Sequence, residues 1–130
     1  MKMSRDHIVP LSRQALEILD ELDELTGHSD YLFPGLRSPH KPISDVTLLK
    51  LLKIMGYEGK RKITPHGFRH TASTILNEHS FNSDHIEKQL AHIQKNKVRG
   101  IYNHADYLDG RREMMQWYAD HLDVLKTSYT

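Results

Sequence analysis

The segment from Ile63 to Leu76, ITPHGFRHTASTIL, places a histidine and an arginine three residues apart at the start of a helix. Thr64 has the side chain of an N-cap, and Pro65 suits the first helical position, where no backbone N–H is required. Three residues make most of one turn, so His66 and Arg69 project from neighbouring positions on one face. Phe68, Ala72, Ile75 and Leu76 fall at helical spacing on another face, the expected core side. An imidazole beside a guanidinium can hold an anion, because both donate hydrogen bonds and the guanidinium keeps its charge. Lys60, Arg61 and Lys62 come just before this helix and are candidate DNA-binding contacts to phosphate. His66 and His70, four apart, could instead chelate zinc. No glutamate follows His66 as it does in metalloprotease helices, and the chain has no cysteine to complete a structural site, so no metal is expected.

The charge balance is uninformative as a total and informative in its distribution. Eighteen Lys+Arg against 17 Asp+Glu leave a net charge of +1. Between Lys50 and His70, Lys50, Lys53, Lys60, Arg61, Lys62 and Arg69 face one acid, Glu58. Between Ser12 and Gly27, Glu17, Asp20, Glu21, Asp23 and Glu24 face only Arg13. A polyanion would meet the basic stretch while the acidic helix points elsewhere. The chain is 130 residues long with 38% hydrophobic content, enough for one small domain with a modest core. With no cysteine, disulfide and thiolate chemistry are excluded. No apolar run approaches the ~20 residues of a membrane span and no signal peptide is visible, so a cytoplasmic protein with no membrane partner is expected.

The elements that must position these residues are mostly helical. DHIVPLS reads as a short strand, with Ile8 and Val9 running into Pro10. Nothing precedes it to pair with, so the chain reads as though cut through a domain. Ser12 caps a helix with an apolar stripe of Ala15, Leu16, Ile18, Leu19, Leu22 and Leu25, closed by Gly27. YLFPGLRSPHKPIS, with three prolines, is an ordered loop carrying a brief extended piece at Tyr31 to Phe33. Ser44 caps a second helix rich in leucine, closed by Gly56. A fourth helix follows Ser83, carries Ile86 and Leu90 and runs up to LAH at 90–92, and a last long one starts near Leu108. Its Met114, Met115 and Trp117 are core or an inter-subunit packing surface. The expected class is mainly α with a small β element at the N-terminus.

HGFRH, then QLAH, then IYNH, occur in that order. The combination resembles the catalytic signature of the tyrosine recombinases, the phage-integrase family: a His-x-x-Arg box, a Leu-Gly/Ala-His motif, and a tyrosine about ten residues on. His66 and Arg69 fill the box, His92 ends LAH, and Tyr102 follows it by ten. A lysine on a hairpin before a hydrophobic-Val-Pro-Leu strand end also belongs to the family pattern, and Lys2 precedes IVPLS here. The closing YNHADYLDGRREMMQWYADHLD is similar to the integrases of satellite phages and genomic islands.

The resemblance implies the catalytic-domain fold of DNA breaking-rejoining enzymes. It also implies site-specific recombination, the integration or excision of a mobile element, through a 3′-phosphotyrosine intermediate. Tyr102 would be the nucleophile and Arg69 a clamp on the phosphate. His66 would accept a proton or donate to the phosphate, His92 would hydrogen-bond it, and Lys2 would protonate the leaving 5′ oxygen. Tyr107, five residues beyond Tyr102, is the rival nucleophile. The family uses no metal and no nucleotide cofactor. Its partners are double-stranded DNA and other protomers, four of them holding two duplexes, on the nucleoid of a bacterium. The family's first arginine lies upstream of the lysine hairpin. Residues 1–130 thus correspond to the C-terminal part of a catalytic domain, without the first-arginine helix or the N-terminal DNA-binding domain, and are expected to recombine DNA poorly alone. The alternative is a non-catalytic DNA-binding or subunit-interaction remnant; a zinc hydrolase is a weaker third reading.

Overall fold

Helix boundaries fall where local chemistry places them. In the computed structural model, which describes residues 6–92 and 107–129, α1 covers Arg13–Thr26 and α2 covers Asp45–Ile54. A 3₁₀ turn follows at Gly59–Arg61, then α3 (Pro65–Glu78), α4 (Ser83–Gln89) and α5 (Leu108–Ser128). Three of these helices end in the same device, a residue in the left-handed region that turns two amides back onto free carbonyls of the last turn. After α2 the residue is Gly56 (φ 96°): its N–H reaches the Lys53 carbonyl at 2.9 Å, and that of Tyr57 reaches Leu52 at 3.0 Å. After α3 it is Ser80 (φ 60°), with Ser80 bonded to Asn77 and Phe81 to Leu76, both at 3.1 Å. After α4 it is Ala91 (φ 53°), with Ala91 bonded to Lys88 at 3.1 Å and His92 to Glu87 at 2.8 Å.

Ala91 carries a Cβ where the left-handed backbone favours none. Ala91→Gly should therefore stabilise the fold by a few tenths to about 1 kcal/mol, the relief of left-handed strain less the extra chain entropy of glycine. A rise in urea midpoint at unchanged slope is the check.

The chain divides into two compact units, Met1–Arg13 with Ala72–Thr130, and Gln14–Thr71. In the first, Leu76, Ile86 and Met114 are fully buried, with Phe81, Leu90, Met115, Trp117 and Tyr118 packed against them. The Trp117 ring lies 4.9 Å from Phe81, 4.6 Å from His79 and stacked at 4.9 Å on His121. Met114, Met115 and Trp117 therefore serve as core. Leu76→Ala should cost about 2–5 kcal/mol, since a fully buried leucine leaves a cavity as well as lost transfer energy; chemical denaturation measures it. Gly110, in the first turn of α5, lies so close to the His85 imidazole that a Cβ would collide with it.

The predicted N-terminal strand is absent among the described residues, and residues 6–12 run without regular structure. A strand needs a neighbour to take its backbone groups. Here side chains take them: fully buried Arg111 donates from Nη2 to the Ile8 carbonyl at 2.7 Å, and Gln89 Nε2 donates to the Pro10 carbonyl at 3.4 Å. Gln116 of α5 accepts from the Arg13 N–H at 2.9 Å, serving an amide at the start of α1 that has no partner within the helix.

In the second unit, residues 14–71, no residue is fully buried. The α1 stripe keeps Ala15, Leu19 and Leu22 half-covered and leaves Leu16, Ile18 and Leu25 exposed. Phe68, expected in the core, is 55% exposed, whereas Ala72 and Leu76 of the same face are buried. The loop before α2 is ordered by bonds from Gly35 to Lys41 (2.7 Å) and from Ile43 to Phe33 (2.9 Å), flanking a bridge between Pro34 and Pro42. Ser44 sits at the N-cap position of α2, but its hydroxyl pairs with that of Thr47 at 3.0 Å. The cap of α4 is Asn82, which accepts from the Asp84 N–H at 2.8 Å; Ser83 is the first helical residue.

Candidate active site

The start of α3 follows the sequence closely. Pro65 is its first residue, and Thr64 Oγ1 accepts from the Gly67 N–H at 3.0 Å. The cap satisfies one free amide, and the positive end of the helix dipole lies at the same turn as His66 and Arg69. His66 is exposed and Arg69 half-buried. Glycine at 67 leaves the capping hydroxyl room, since a Cβ there would stand 3.3 Å from Thr64 Oγ1. An imidazole, a guanidinium and a helix N-terminus thus converge at one turn, a combination suited to phosphate oxygens.

Just before it, Gly59 (φ 60°) opens the 3₁₀ turn that carries Lys60 and Arg61, with Lys62 at its end; all three basic side chains are exposed. Lys62 also lines a groove of about 400 Å³ with Val46, Lys50, Lys53, Tyr57 and Ile63. Lys53 Nζ lies 3.7 Å from the Glu58 carboxylate at the surface, a pair that solvent screens to little net stability.

His92 belongs to the other unit. Its amide closes the α4 cap onto Glu87, so the turn at Ala91 sets where the exposed His92 begins. The structure therefore brings His66 and Arg69 together on one helix and gives His92 a defined place in its own unit. Lys2 and Tyr102 lie outside the described residues. Tyr107 stands immediately before α5 in the left-handed region (φ 52°), its ring 4.8 Å from that of His85 and its carbonyl accepting from the Arg111 N–H at 2.8 Å. Burial pushes the Tyr118 phenol above its ordinary pKa, which disfavours a phenolate there. Among the described residues no group of three or more His, Cys, Asp or Glu is placed to hold a metal ion.

Sequence reasoning missed Arg111 and the structural part of Gln89. Arg111 Nε donates to Gln89 Oε1 at 3.0 Å while Nη2 bonds Ile8. A signal was present: Arg111 occupies the i position of the apolar series Met114, Met115 and Tyr118, at i+3, i+4 and i+7, where a charge is out of place unless paired.

A helical chain with a capped His-x-x-Arg turn, a second histidine on a helix end and a basic turn is consistent with a tyrosine recombinase catalytic domain. The pattern of the phage integrase family matches residues 1–108, and the chain belongs to that family. It is 51% identical over 95% of its length to the integrase of Shigella phage Sf6, covering 32% of that protein. It is 44% identical over 99% of its length to the integrase of Enterobacteria phage P4, covering 30% of it. A tyrosine recombinase, XerA of Pyrococcus furiosus, is 32% identical over 70% of this chain and is covered to 32%. The chain thus spans about a third of the length of the relatives it matches. No solved structure matches it. No described helix is long and apolar enough to cross a membrane.

Proposed function

We propose that residues 1–130 are the C-terminal part of the catalytic domain of a site-specific recombinase that integrates or excises a mobile element, working on chromosomal DNA. The observation that carries this is the capped turn presenting His66 and Arg69, in a chain whose relatives are named integrases. Tyr102 Oη attacks the scissile phosphorus, forming a 3′-phosphotyrosine bond as the bond to the 5′ oxygen breaks. The phenol proton goes to His66 or to water, and Lys2 gives a proton to the departing oxygen. Arg69 and His92 hold the non-bridging oxygens, with Arg69 able to span two of them. Lys60, Arg61 and Lys62 take flanking backbone phosphates and position the duplex without reading its sequence. Other protomers complete the assembly on paired DNA sites.

The test begins with the DNA immediately upstream of the Met1 codon. An open frame encoding a helix with an arginine supplies the rest of the clamp. The completed polypeptide should then form a covalent adduct on a nicked duplex carrying the attachment site, and no adduct would defeat the reading.

A second reading rests on the second unit, which buries no side chain completely and exposes Leu16, Ile18, Leu25 and Ile54. That surface suits a subunit-interaction module without catalysis. A stable dimer by size exclusion, with no DNA binding at low salt, would favour it. Binding that weakens steeply with salt would instead report phosphate contacts.

A further inference from the structure

We propose that His79 and His121 form a binding site for one divalent transition-metal ion, independent of the phosphate chemistry above. Both residues belong to the first unit. His79 follows the last residue of α3, and His121 lies on α5. Their ring centres are 5.1 Å apart at an interplanar angle of 60°. A metal bound at about 2.0–2.1 Å to one nitrogen of each ring lies about 3.2 Å from each ring centre, and a near-tetrahedral angle then puts the centres about 5.2 Å apart. The observed spacing fits two imidazoles sharing one ion.

The two rings are held before any ion arrives. His79 Nδ1 lies 2.9 Å from the Ile75 carbonyl. A carbonyl oxygen only accepts, so Nδ1 carries the proton and Nε2 keeps the lone pair that a metal needs. The His79 backbone N–H bonds that same carbonyl at 3.1 Å. His121 stacks on Trp117 at 4.9 Å and 10°, and Trp117 packs on the buried Leu76, Ile86 and Met114. His79 is exposed and His121 half-buried, so an ion has access and water completes its coordination. Imidazole is a ligand that zinc, copper and nickel share, which gives the class of ion. Bound there, the ion joins the end of α3 to α5 and favours the folded chain over the unfolded one.

Trp117 supplies the readout, because it is the chain's single tryptophan and its ring centre lies 4.6 Å from that of His79. Paramagnetic Cu(II) in the site quenches its fluorescence, and EDTA restores it. The 130-residue chain is titrated with Cu(II) alone, beside His79→Gln, His121→Phe and, as a control, the exposed His40→Gln. His121→Phe keeps a flat ring against Trp117 while removing the ligand. His79→Gln changes an exposed side chain, so neither variant empties the core.

Quenching should saturate at one ion per chain. Each of His79→Gln and His121→Phe should raise the half-quenching concentration at least about tenfold, since even a partner that only orients a ligand is worth about 10–100-fold in metal affinity. His40→Gln should leave it unchanged. At one equivalent of Cu(II), electron paramagnetic resonance should show two imidazole nitrogens on the ion, falling to one in either ligand variant. No quenching, quenching that either ligand variant retains undiminished, or an equal shift in His40→Gln would overturn the proposal. Should a variant unfold, the unsubstituted spectrum decides alone: fewer than two imidazole nitrogens overturns the site.

Discussion

Tyr102→Phe is expected to abolish the covalent protein–DNA adduct completely, while Tyr107→Phe leaves it in place. Phenylalanine keeps the ring and removes the only atom able to bond phosphorus, so the loss is all-or-none and DNA binding should survive it. A nicked duplex that loses a short strand on cleavage traps the adduct, and a denaturing gel of the completed polypeptide counts it. Tyr107 is given a packing part by its surroundings: its ring lies against His85, and its carbonyl begins the hydrogen bonding of α5. Its left-handed backbone, uncommon for a bulky residue, belongs to that helix start. Should Tyr107→Phe lose the adduct and Tyr102→Phe keep it, the nucleophile assignment is reversed.

Arg69→Ala carries the second large effect. Negative charge gathers on the non-bridging oxygens as the phosphoryl group moves, and a preorganised donor aimed there typically accounts for about 10²–10³-fold in rate. Adduct formation should slow by that factor at saturating DNA, with a much smaller change in affinity, because the contact strengthens in the transition state. Arg69→Lys should fall between, keeping the charge and losing the paired donors. Arg69 is half-buried near the capped start of α3, where the dipole already favours an anion. A normal cleavage rate for Arg69→Ala, or a loss accounted for entirely by weaker DNA binding, would remove Arg69 from the chemistry.

What the sequence by itself determined was local. Thr64 and Pro65 announce the start of α3, and with it the shared face of His66 and Arg69, because capping and the missing proline amide act within one turn. Gly56 announces the end of α2 for the same reason, as glycine accepts the left-handed turn. Ser80 and Ala91 make the same turn without that signal, each carrying a side chain that the left-handed backbone does not favour. Order and spacing of HGFRH, QLAH and IYNH were likewise legible, and they carried the family.

Tertiary structure decided what depends on partners distant in the chain. IVPLS has the composition of a strand, yet the bonds at Ile8 and Pro10 come from Arg111 and Gln89, which lie 103 and 79 residues further along the sequence. Phe68 has the helical spacing of Ala72 and Leu76, yet only the latter two are buried. Apolar spacing marks which face of a helix can be buried; only the neighbours that arrive determine which part of it is. Likewise Arg111 looks like one basic residue among several, and its part in the molecule follows from two acceptors that the fold alone brings within reach.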